Sequence, residues 1–259
     1  MRTLRDNTRF PISSGTLLTA LTVFMPYSAT QAQSPVLTTL YRFTDQNGDG
    51  AGPTAGVVVA KSGLLYGTTA TGGSSNYGTV FELKPPVSPS KVWTETVLYS
   101  FGGPPSDGSS PNAVMIGENG TLYGTTAGGG SAGNGTVFQL TPPASPAGAW
   151  TESVLHSFTG QNGDGLFPVG AVVLDQSGAL YGATYRGGLS DVGTIYQLTP
   201  ADGAWAETVL HSFTGQSGDG AYPEGGCSSA RRESYMEQPI AVGFPTATVV
   251  FLVAALPSS

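Results

Sequence analysis

Leu122-Tyr123-Gly124-Thr125-Thr126, then Gly135-Thr136-Val137-Phe138, Trp150-Thr151-Glu152 and Leu155-His156-Ser157-Phe158, make up a run that recurs along the chain and decides the fold. The first block returns as Leu65-Tyr66-Gly67-Thr68-Thr69 and as Leu180-Tyr181-Gly182-Ala183-Thr184. The second returns as Gly78-Thr79-Val80-Phe81 and Gly193-Thr194-Ile195-Tyr196, the third as Trp93-Thr94-Glu95 and Trp205-Ala206-Glu207. The last has copies ending at Phe43, Phe101, Phe158 and Phe213, spaced 58, 57 and 55 residues apart. Pro53, Pro111, Pro168 and Pro223 keep the same intervals. Anchors held in one register over this many residues define a tandem repeat.

Each unit reads as four short strands separated by breakers. In the second unit the strands are residues 95–101, 113–116, 122–126 and 135–140; the breakers are 102–111, 118–120 and 128–134. Asn-Gly and Asp-Gly pairs suit tight turns with positive φ. The strands are almost continuously apolar, as expected of sheets covered on both faces. A unit of about 57 residues with four strands has the size of a propeller blade. The expected fold is therefore all-β: a propeller-like array of four-stranded blades, with three full units and a truncated fourth. A parallel β-helix is the rival, but its coils are shorter. Typical propellers hold roughly 4–8 blades, so this array should be an open arc or a poorly closed ring with a weak terminal unit. The expected boundaries are 1–32 for a signal peptide and 37–95, 96–152 and 153–207 for the repeats. Residues 208–226 begin a fourth repeat, and 227–259 form an aberrant tail.

Leu-Tyr-Gly-Thr-Thr, a Gly-rich turn, Gly-Thr-Val-Phe-x-Leu-Thr-Pro and Val-Leu-His-Ser-Phe followed by Gly-Asp-Gly together resemble the bacterial GloVer tandem repeat. The resemblance covers residues 37 to about 226 and implies a secreted or surface protein, in a family whose members carry differing C-terminal anchoring signals. It brings no catalytic residues with it.

Composition agrees with a β protein. The chain has 38 glycines and 19 prolines in 259 residues, with 39% hydrophobic, 10% aromatic and only 10% charged residues. That is enough apolar material for a core, while strong helix formers are scarce. The 10 Lys and Arg against 17 Asp and Glu give a net charge of −7, a poor basis for neutralising phosphates, so nucleic acid is not an expected partner. A single cysteine, Cys227, excludes an intramolecular disulfide and a Cys-based zinc site. Arg2, Arg5 and Arg9 precede the apolar run of residues 16–25 and the small-residue stretch ending at Ala32. This is the order of a secretory signal, too short for a membrane span of about 20 residues. An exported chain with no membrane span in its mature part is expected.

Candidate chemistry is sparse. Asp45-Gln46-Asn47-Gly48-Asp49-Gly50 has the ligand spacing that opens a calcium loop, and Asp45, Asn47 and Asp49 are its candidate ligands. Gly56 stands where a bidentate glutamate is required, and the loops at 160–165 and 215–220 begin with glycine. The simpler reading is a turn that uses Asp and Gly for backbone geometry. Calcium is the one cofactor considered; otherwise none is expected. His156 and His211 fill the slot held by Tyr41 and Tyr99, which suggests packing on a strand rather than catalysis. Glu95, Glu152 and Glu207 recur in every unit, as a requirement of the blade does. Tyr66, Tyr123 and Tyr181 either line a ligand groove or pack between blades. No nucleophile elbow, zinc-protease motif or phosphate loop is present. The function expected is that of a non-catalytic secreted or cell-surface binding or structural module, with an extracellular ligand or a cell-surface component as its partner. The alternative is an extracellular propeller enzyme acting on carbohydrate.

The tail breaks the pattern. Regrouping the codons of Tyr235-Met236-Glu237-Gln238-Pro239 by one base allows Tyr-Gly-Thr-Thr at the place where the repeat predicts it. The expectation is a frameshift near Gly226, in the gene or its sequencing. Residues after it are then an out-of-frame translation, and Cys227, Arg231 and Arg232 have no function.

Overall fold

The Leu-Tyr-Gly-Thr-Thr and Gly-Thr-Val-Phe blocks pair with each other as the two central strands of a four-stranded antiparallel sheet, and this happens three times. The computed structural model describes residues 37–145 and 148–228; the expected signal peptide of residues 1–32 and all but the first two residues of the expected aberrant tail lie outside them. The first sheet contains β2 (Val58–Val59), β3 (Leu65–Thr69), β5 (Thr79–Lys84) and β6 (Thr94–Ser100). A separate two-stranded ribbon joins β1 (Gly50–Ala51) to β4 (Thr71–Gly72). The second sheet runs β7 (Gly108–Ile116), β8 (Leu122–Gly129), β9 (Thr136–Thr141), β10 (Thr151–Ser157). The third runs β11 (Gly165–Leu174), β12 (Leu180–Gly187), β13 (Thr194–Ala201), β14 (Ala204–Ser212). The fold is all-β and propeller-like, and none of the sheets closes on itself.

The sheets are out of phase with the sequence units by one strand. Residues 94–100 pair with β5, not with the strand that follows them, so each sheet starts after the Gly-Asp-Gly loop and ends with the strand leaving the tryptophan. The first strand also begins earlier than its apolar residues suggest: β7 starts at Gly108 and carries Pro111. Proline is tolerated because β7 is an edge strand, and the ladder shifts register between Pro111 and Val114. In the first sheet the same strand is split into β1 and β2.

Small residues let the sheets nest. A side chain at Gly135 would meet Pro168 Cδ at 2.5 Å, and one at Gly193 would meet Pro223 Cδ at the same distance. The correlated glycine and proline anchors are thus two halves of one contact between successive repeats. Phe101 and Phe158, just past β6 and β10, lie 5.1 Å from Phe138 and 5.0 Å from Tyr196 in the next sheet. All four rings are fully buried, each contributing on the order of 2–3 kcal/mol. Inside each sheet a buried hydroxyl pair bridges the central strands: Thr69–Thr79, Thr126–Thr136 and Thr184–Thr194, each at 2.8 Å.

Backbone bonds step from one repeat to the next. Ser110 N–H donates to Tyr77 O (2.9 Å), Phe167 N–H to Asn134 O (2.8 Å) and Tyr222 N–H to Val192 O (2.7 Å). The third of these belongs to the start of the fourth repeat, which docks in step with the others.

Candidate functional site

The Asp-Gly loops build a polar arrangement that recurs through the described residues. A Tyr or His stands eight residues before each aspartate: Tyr41 and Asp49, Tyr99 and Asp107, His156 and Asp164, His211 and Asp219. Asp107 Oδ2 accepts from Gly102 N–H (2.6 Å) and the Tyr99 hydroxyl (2.9 Å), while Oδ1 accepts from Gly108 N–H (2.6 Å). Asp49 accepts from Thr44 N–H and Oγ1 (both 2.7 Å), Gly50 N–H (2.7 Å) and Tyr41 (3.3 Å). Asp219 accepts from Thr214 N–H (2.8 Å) and Gly220 N–H (2.9 Å), and its Oδ1 lies 3.1 Å from His211 Nε2. Each aspartate thus ties a strand end to the loop that enters the next sheet. Tyr and His are interchangeable in the slot because each can present a donor to a carboxylate.

The repeated glutamates complete these clasps. Glu95 faces Asp49, Glu152 faces Asp107 and Glu207 faces Asp164, and each leaves Oε1 buried without a partner. Burial first, and then the neighbouring aspartate, raises all three carboxyls to about 7. Each of these glutamates carries its proton well above the ordinary carboxylate range. Burial raises Asp164 as well, but the nearby His156 ring and the Thr159 donors outweigh it and hold that carboxyl below its usual value. The glutamate half of the clasp is not apparent from sequence, because it comes from more than forty residues away. The constant eight-residue spacing between the Tyr/His slot and the aspartate is the signal that marks the other half.

Calcium candidates Asp45, Asn47 and Asp49 all lie in the loop that leads to β1. Asp45 and Asn47 are exposed turn residues with φ of 58° and 56°, and the Asp49 carboxylate is taken up by the donors above. The three repeated tyrosines have different surroundings. Tyr66 is buried between the first and second sheets, 6.4 Å from the Trp150 ring; burial and then Glu82 push its hydroxyl up to about 12. Tyr123 packs with Trp205 against the core shared by the second and third sheets. Tyr181 donates to Asp175 (3.0 Å) and accepts from Gln197 (2.8 Å). Tyr66 lines a cleft of about 680 Å³ with Lys61, Met115 and Ile116, and no residue lining it carries a carboxylate. Cys227 is free and half-buried, and burial pushes its thiol up. Among the described residues, no helix is long and apolar enough to cross a membrane.

Fold and clasps together define a β-repeat protein whose units share one set of contacts. The family model of the Gloeobacter/Verrucomicrobia repeat matches residues 22–236, and the chain belongs to this family. Comparison with curated proteins finds no match.

Proposed function

We propose that this chain is a non-catalytic secreted or cell-surface module that acts by binding, or as a structural component, on an extracellular ligand or cell-surface partner. One observation carries the reading: the buried carboxylates follow the repeat, one clasp to a sheet, and most of their aspartate oxygens are engaged by backbone and hydroxyl donors. An enzyme built on repeats breaks that symmetry, bringing acids from different units into one recess. Here the recess beside Tyr66 is lined without any acid. Export is supported by the leader-like order of residues 1–32 and by the single cysteine.

The test applies the full-length protein to a glycan array and to purified extracellular polysaccharides while released reducing ends are measured. Retention on at least one surface polysaccharide, with no reducing ends above the protein-free control, is the expected result. Steady release of reducing ends overturns the proposal in favour of a carbohydrate-active enzyme.

A further inference from the structure

One clasp departs from the others. In the third sheet Asp164 keeps its Thr159 donors on Oδ2, at 2.6 and 2.7 Å, but its Oδ1 accepts no hydrogen bond. In the equivalent clasps that oxygen accepts from the following glycine N–H, at Gly50, Gly108 and Gly220. His156 Nε2 and Glu207 Oε1 are likewise buried and unpartnered. The three residues converge: one ligand atom from each of His156, Asp164 and Glu207 lies within 4.8 Å of the others. The His156 ring is set edge-on against Phe158 at 4.7 Å, with Nε2 3.5 Å from Asp164 Oδ1. Buried polar atoms left in this state call for a partner.

We propose that His156, Asp164 and Glu207 form a divalent transition-metal site, with Zn²⁺ the best-matched ion. One imidazole nitrogen and two carboxylate oxygens suit a borderline cation. With ligand bonds of about 2.0–2.2 Å, tetrahedral neighbours stand roughly 3.4 Å apart. The His156–Asp164 pair already has that separation, and Glu207, whose ligand atom lies within 4.8 Å of both, completes the set by moving inward. The remaining coordination position is left to water. The ion links β10 of the second sheet, which carries His156, to β14 of the third, which carries Glu207. Its role is that of a staple between sheets.

The repeat supplies the controls. Tyr41 and Tyr99 hold the His156 slot beside Glu95 and Glu152, with a phenol in place of the nitrogen. His211 has an aspartate but no glutamate among the described residues, and Asp219 Oδ1 is already bonded to Gly220. The full-length protein, stripped with a chelator, is titrated with Zn²⁺ by calorimetry, and its zinc content is measured after gel filtration. One Zn²⁺ per chain is expected, with a thermal midpoint that rises on binding. His156→Tyr, which installs the residue the first two clasps use, should weaken binding at least about 100-fold and abolish the thermal shift. His211→Tyr should leave both unchanged. Should His156→Tyr fail to fold by circular dichroism, Glu207→Gln, expected to lose the ion as well, decides. No zinc in the wild-type protein, or full stoichiometry in the variant that decides, overturns the proposal.

Discussion

At the residue scale, the glutamates opposite the aspartates are the costly members of the fold. Glu152 sits beside Asp107 and Tyr99 with its carboxyl raised to about 7. Because the folded state holds this proton more tightly than the unfolded chain, the associated stability is complete below about pH 4.5 and is lost as the pH rises through 7. With the screening expected of a partly solvated side chain, the loss at pH 8 is on the order of 1 kcal/mol. Glu152→Gln should therefore raise the thermal midpoint at pH 8 by about 2–4 °C and leave it nearly unchanged at pH 5. A midpoint lowered at both pH values would mean that the charged carboxylate stabilises the fold. The aspartate half of the clasp could be read from spacing because its partners are local. Glu152 reads in sequence only as a recurring acid, since what raises it is burial against a loop contributed by a distant stretch of chain.

At the scale of elements, the repeated motifs are the two sides of contacts. Gly135 has φ of 100°, and a side chain there would meet Thr126 O and Pro168 Cδ. Gly135→Ala combines backbone strain of about 1–3 kcal/mol with the displacement of Pro168 from the neighbouring repeat. It should cost at least about 3 kcal/mol in urea unfolding; a cost under about 1 kcal/mol would show that the sheets do not nest through this contact. The central strands and their order were legible because Leu-Tyr-Gly-Thr-Thr and Gly-Thr-Val-Phe are local, apolar and bounded by glycines. Their grouping into sheets was not. Whether residues 94–100 close one sheet or open the next depends on pairing across the proline-rich hairpin of residues 85–93, and periodicity carries no information about that choice. The same holds for Pro111, whose place inside β7 follows from the strand lying at a sheet edge.

On the scale of the whole molecule, the sheets form a stack in which each repeat is tied to the next by the same clasp, the same glycine–proline contact and the same backbone bond. Such an array is quasi-one-dimensional, and its stability is close to a sum of unit and nearest-neighbour terms. Asp49, His156 and His211, which stand out in the sequence as candidate chemistry, lie at these junctions, which is why four-strand periodicity and architecture were readable while a ligand was not. The most direct test of this account is hydrogen–deuterium exchange on full-length Asp107→Ala, which removes the acceptor for Gly102, Gly108 and Tyr99 at one junction only. Exchange should quicken by about 10- to 100-fold at amides of residues 101–111 and along β7, while β12, β13 and β14 keep wild-type protection. Equal loss of protection in all three sheets, or no change at residues 101–111, would contradict a molecule held together junction by junction.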